Sequence, residues 1–125
     1  LSGVTKYHLD DYKGAEDDCT KAIDLNPFFV DYFELRAMSR LREEKYDSAI
    51  VDFTRALEMN PDNKDYWFNR AYCYSQLNAY DVVNQQLDYI LKRWPNFTAA
   101  VNLRQTIRNT ERLYKRKKKK KTIPQ

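Results

Sequence analysis

Residues 30–63 read VDYFELRAMSRLREEKYDSAIVDFTRALEMNPDN, and residues 64–97 read KDYWFNRAYCYSQLNAYDVVNQQLDYILKRWPNF. Pro61 and Pro95 fall in the same slot of the two stretches, and Pro27 stands 34 residues before Pro61. Tyr12, Tyr46 and Tyr80 keep that interval, as do Arg36, Arg70 and Arg104. Ala15 and Ala49 keep it with Val83 in the third slot. Ala22 and Ala56 keep it with Ile90 third. Columns in one register make the chain an array of a single supersecondary unit. Such arrays favour extended binding surfaces over closed catalytic pockets.

Each unit reads as two helices. In Tyr46 to Leu57 the apolar residues Tyr46, Ala49, Ile50, Phe53, Ala56 and Leu57 follow i, i+3, i+4, i+7 spacing, an amphipathic helix. In the other half, Phe33, Arg36, Ala37, Arg40 and Leu41 share a face, and Trp67, Arg70, Ala71 and Tyr74 occupy the same slots. Asn26, Asn60 and Trp94 precede the prolines, where helical backbone is disfavoured. Asp10, Glu44 and Asn78 hold equivalent turn slots. Asn78 suits a left-handed helix cap and Glu44 suits it least. Helices are expected over about 2–9, 12–25, 30–43, 46–59, 64–77, 80–93 and 98–118.

A hydrophobic content of 42% excludes wholesale disorder, and two glycines and four prolines supply few tight turns for an all-β fold. No stretch approaches the apolar run a membrane span requires. The chain opens on Leu1 without a signal peptide, and its first repeat lacks its start. The expectation is a fragment of a longer parent with an intracellular location. Cys19 and Cys73 lack metal-ligand spacing and read as buried free thiols. His8 is the sole histidine and reads as a surface or groove residue. There is no nucleophile–base pair, metal set or glycine-rich phosphate loop, so no catalysis, cofactor or small-molecule substrate is expected.

These columns resemble the tetratricopeptide repeat (TPR) family, whose signature places aromatic, small and proline residues along a 34-residue helix-turn-helix unit. Residues 30–63 supply Phe33, Ala37, Tyr46, Ala49, Phe53, Ala56 and Pro61. The next repeat supplies Trp67, Ala71, Tyr80, Val83, Leu87, Ile90 and Pro95, departing at its three second-helix slots. A partial repeat supplies Gly3, Tyr12, Ala15, Cys19, Ala22 and Pro27. The last helix has Val101 in the aromatic slot but Gln105 in the small one. The resemblance implies an all-α, right-handed α-solenoid of antiparallel helix pairs. It would hold about 2.5 repeats plus a C-terminal basic helix. The divisions are a partial repeat 1–29, repeats 30–63 and 64–97, a terminal helix 98–114 and a polybasic tail 115–125. Arginine before a small residue is similar to a bacterial-type variant. The arginine column is expected to pair with Asp18 and Asp52, themselves 34 residues apart.

In this family the first helix of each pair lines a concave groove. The matching positions are Val4, Tyr7 and His8, then Asp31, Glu34, Leu35, Met38, Leu41 and Arg42. The third repeat adds Asp65, Phe68, Asn69, Tyr72, Ser75 and Gln76, and the last helix adds Asn102, Leu103, Thr106 and Asn109. Tyr7, Glu34, Leu35, Met38, Phe68, Asn69, Tyr72 and Gln76 are the candidate peptide-binding set. The apolar members are not needed by the core pattern and could anchor a peptide or helix. A two-carboxylate clamp for chaperone C-termini is disfavoured, because only Asn69 fits and the cation slots hold Asp65, Ala99 and Leu103.

Charge is split along the chain. Residues 1–91 hold 10 Lys and Arg against 17 Asp and Glu, whereas residues 92–125 hold 12 against one. Lys115, Arg116, Lys117, Lys118, Lys119, Lys120 and Lys121 form a candidate anion-binding run. The leading expectation is a non-catalytic protein-interaction scaffold with a protein or peptide partner. The alternatives are an accessory module whose polybasic end docks on anionic membrane or nucleic acid, and a self-associating array.

Overall fold

The computed structural model describes residues 2–122, with Lys121 and Thr122 as helix backbone only. Among the described residues the chain forms seven helices and no strand. They are α1 (Gly3–His8), α2 (Tyr12–Leu25), α3 (Val30–Arg42), α4 (Tyr46–Met59), α5 (Lys64–Gln76), α6 (Tyr80–Arg93) and α7 (Thr98–Thr122). The all-α repeat solenoid expected from the columns is what forms. α7 runs without a break across position 114 and extends beyond the expected end at 118. No described helix is long and apolar enough to cross a membrane.

Local chemistry sets the helix ends. The side chains of Ser2, Asp11 and Asn63 accept from backbone N–H groups at the starts of α1, α2 and α5. Within each pair the turn depends on one left-handed residue. Asp10, Glu44 and Asn78 have φ of 62°, 61° and 59°, at equal intervals along the chain. The N–H groups of Asp11, Lys45 and Ala79 then close back onto the carbonyls of Lys6, Arg40 and Tyr74. This satisfies carbonyls that each helix end would leave orphaned. Tyr12 and Tyr80 donate their hydroxyls to Asp10 and Asn78, bracing two of the three turns.

Packing follows the small residues. Ala15, Ala37, Ala49, Ala56 and Ala71 are all fully buried, so helix axes approach closely along the array. One cluster gathers Phe33, Ala37, Ala49, Phe53, Ala56 and Tyr66 from α3, α4 and α5. A second gathers Ala71, Val83, Leu87, Ile90, Ala100 and Ile107 from α5, α6 and α7. The departures in the third repeat compensate in volume. Phe53 becomes Leu87 while Ala49 and Ala56 become Val83 and Ile90, and all six are fully buried. Cys19 and Cys73 are buried free thiols, and burial pushes the Cys73 thiol up to about 12.

Candidate binding groove

The arginine column forms the seam between successive pairs. Arg36 donates from Nε and Nη2 to the two oxygens of Asp52 at 2.9 and 2.8 Å, and from Nη1 to Thr20 at 3.2 Å. Arg40 adds a bond to the same carboxylate at 2.9 Å, so Asp52, 1% exposed, is held by two guanidinium groups. Lys6, one repeat before Arg40, holds Asp18 in the same way at 2.9 Å.

Arg70 departs from the expected pairing. Its Nε donates to Gln86 at 3.1 Å and its Nη1 to Thr54 at 3.1 Å, and its guanidinium lies over the Trp67 ring. The aspartate slot has become Gln86 and the Arg40 slot has become Tyr74, so Arg70 is held by neutral groups. Burial accordingly pushes the Arg70 pKa down, whereas the Asp52 hydrogen bond raises that of Arg36. Arg104 reaches back to Asp88, the slot that Thr20 and Thr54 hold for the earlier arginines.

The candidate groove residues divide by location. Tyr7 and His8 lie at the α1–α2 turn, where the Tyr7 ring meets Tyr12 edge-on and Arg42 stacks on Tyr12. Glu34 accepts from the Tyr66 hydroxyl at 2.8 Å, and burial followed by this bond pushes the Tyr66 pKa up. Asn69 donates to the Met38 sulfur at 3.5 Å. Met38 packs on the first apolar cluster and Phe68 on the second, with the Phe68 and Phe97 rings 5.5 Å apart. These two side chains therefore serve the core, contrary to the expectation that the core pattern leaves them free.

A hollow of about 410 Å³ lies further along, between α5 and α7. Tyr72, Ser75, Gln76, Leu103 and Thr106, all expected on the groove, line it together with Ile107, Thr110, Asn78 and Tyr80. The periodicity of α7 carries the signal for two residues missed in the sequence. Leu103, Ile107, Thr110 and Tyr114 recur at helical spacing and so share the face turned to α5 and α6.

A separate cleft of about 290 Å³ holds Leu35 with Val4, Cys19, Ala22 and Tyr32. One repeat later the equivalents of Cys19, Ala22 and Tyr32 cluster with Phe33, so this cleft is the slot of a repeat aromatic. At the other end, Lys115, Arg116, Lys117, Lys118, Lys119 and Lys120 are exposed on α7. The side chain of Lys121 lies outside the described residues.

Comparison with known proteins agrees with this architecture. Residues 34–82 match the family model for the tetratricopeptide repeat, and the chain has the all-helical solenoid fold of solved TPR domains. No curated protein matches the sequence. Among solved structures, the TPR domain of Arabidopsis OM64 is similar at 22% identity and a TM-score of 0.79, covering 87% of this chain and 90% of that one. The first TPR domain of Spaghetti (RPAP3), bound to the HSP90 peptide SRMEEVD, is similar at 22% identity and a TM-score of 0.79, covering 86% of each chain. The Hsp90 co-chaperone Cns1 from Saccharomyces cerevisiae reaches a TM-score of 0.88 at 22% identity, over 95% of this chain but 40% of its own. Likeness at such identity establishes the fold.

Proposed function

We propose that the chain is a non-catalytic protein-interaction scaffold that takes a peptide or helix on the concave face of α3, α5 and α7. One observation carries this reading: Tyr72 and Gln76 of one repeat and Leu103 and Thr106 of the next converge on a single hollow of about 410 Å³. A hollow with an aromatic wall and a few polar groups suits one anchoring side chain of a partner. Asn69, which donates to the Met38 sulfur, would exchange that contact for an extended ligand backbone, with Glu34, Met38 and Phe68 beside it, while Leu35 in its separate cleft and Tyr7 at the α1–α2 turn stand further from the hollow. Similar structures support the reading, since two neighbours are described with HSP70 and HSP90 peptides bound. A two-carboxylate clamp is disfavoured in this reading, because Asp65, Ala99 and Leu103 stand in the slots where the family resemblance would call for cations.

Panning random dodecapeptides on phage against the immobilised chain tests this function. The expected result is an enriched motif whose synthetic peptide binds by calorimetry and is lost on Tyr72→Ala or Thr106→Trp. Enriched peptides that bind both variants as well as the parent would remove the groove from consideration.

A further inference from the structure

The hollow between α5 and α7 is walled in part by α7, the helix that carries the cationic run 115–120. Asn78 and Tyr80 line the hollow and also a second depression whose remaining wall is Tyr114. α7 continues past this point to Thr122. Helical spacing after Ile107, Thr110 and Tyr114 brings Lys117 and Lys118 next along the same face. An aromatic floor therefore leads, within one turn of helix, into a cationic strip. The one acid on α7, Glu111, accepts from Asn84 at 2.9 Å.

We propose that hollow and strip form one site for an acidic peptide. An apolar side chain fills the hollow against Tyr72 and Leu103, and carboxylates of the same peptide meet Lys117 and Lys118. The proposal rests on the peptide-binding reading above and adds the charge of the ligand and its place on α7. Charge complementarity selects the occupant. The opposite lip of the groove carries Asp31, Glu34 and Asp65, but there Glu34 is engaged by Tyr66 and Phe68 is packed against Phe97. The cleft of about 290 Å³ at that end is lined by Asp31 and by Asp18, which Lys6 already holds at 2.9 Å, so a basic peptide would meet less charge there than an acidic one meets along α7. Nucleic acid fits the strip less well, because Tyr80 is braced on Asn78 and no aromatic follows Tyr114 for bases to stack on. A membrane surface would meet the cations of 115–120 by charge alone and leave the hollow unused.

The test uses the full chain and fluorescein-labelled decapeptides containing one leucine flanked by glutamates, with glutamine and lysine versions of the same peptide. Anisotropy titrations should show the glutamate probe binding and the glutamine probe about tenfold weaker or more, the scale of two or three solvent-facing ion pairs. Binding should weaken with salt. It should be lost in Lys117→Glu/Lys118→Glu, and should also fall in Thr106→Trp, which fills the hollow from an exposed position. Glutamate-probe binding unchanged in either variant overturns the proposal, as does tighter binding of labelled oligo(dT) or of phosphatidylserine vesicles. Binding of the glutamine or lysine probe in preference, still sensitive to Thr106→Trp, overturns the charge assignment and leaves the groove reading standing. Failure of all three probes overturns the proposal, while the phage-selected peptides decide the groove reading separately.

Discussion

Arg36 faces a buried carboxylate and Arg70, one repeat on, faces an amide, so the two should respond differently to the same substitution. Arg36→Met leaves Asp52, 1% exposed, with only Arg40 opposite it. Breaking such a pair costs about 3–5 kcal/mol, reduced here by the remaining guanidinium. Arg70→Met strips hydrogen bonds from the neutral Gln86 and Thr54, a loss of about 1–2 kcal/mol. Urea unfolding should therefore rank Arg36→Met as the more damaging, and equal losses would contradict the assignment. The Arg36–Asp52 pair was legible because both columns repeat. The exception at Arg70 was also written in the chain, as Gln86 and Tyr74, but only the structure showed that these slots answer the arginine. A second residue-scale consequence concerns Glu16. Burial alone would raise its pKa, but the Lys45 ammonium at 3.1 Å and the Arg40 guanidinium at 3.3 Å help outweigh this and hold it at about 2, below the ordinary 4.5. A folded-state pKa below the unfolded one adds stability that is present at neutral pH and is lost as pH falls from about 5 to about 2. In Glu16→Gln, the plot of urea midpoint against pH should lose part of its slope in that window. An unchanged slope would place the acid sensitivity elsewhere.

The elements show which signals reach the backbone. The helix pairs were readable because apolar spacing, prolines and turn slots all pointed to one pattern, and each turn needs a left-handed residue where the columns put it. Glu44 is the least suited of the three, with φ of 61°. A left-handed conformation costs a side chain about 1–2 kcal/mol, and glycine avoids this at an entropic cost of about 0.5–1 kcal/mol. Glu44→Gly should thus raise stability by about 0.5–1 kcal/mol, whereas Asn78→Gly should change it little, as followed by thermal unfolding. A lower melting temperature for Glu44→Gly would mean the side chain has an unrecognised partner. Helix approach gives the opposite sign. Ala49 is fully buried between helices, and Ala49→Leu should overpack the first cluster at a cost of about 1–3 kcal/mol. The hollow between α5 and α7 was only half legible. The family positions supplied Tyr72, Gln76, Leu103 and Thr106, but Ile107 and Thr110 enter from further along α7, and Tyr80, legible only as a repeat column, lines the hollow from the start of α6.

At the scale of the molecule, the two apolar clusters meet at one half-buried ring, Trp67, which packs against both. Each helix otherwise depends on its neighbours, so stability should behave as a chain of nearest-neighbour terms rather than as one core. α7 is the weakest link. Its apolar hold is Ala100 and Ile107, fully or nearly fully buried, and its polar holds on α6 are Arg104–Asp88 and Asn84–Glu111. Ile107→Asp puts a carboxylate without a cationic partner against Leu87 and Ile90, a cost of roughly 3 kcal/mol or more. That exceeds what a single terminal helix can absorb, yet α3 and α4 make no contribution to the cluster being broken. Hydrogen exchange read by mass spectrometry should then show α7, and to a lesser degree α6, exchanging freely while α3 and α4 keep their protection. Restoring the protection with Ile107→Leu would separate the charge effect from the change in shape. Uniform loss of protection across all helices would instead mean that Trp67 couples the clusters into one cooperative unit, and that the groove and the basic end rise and fall together.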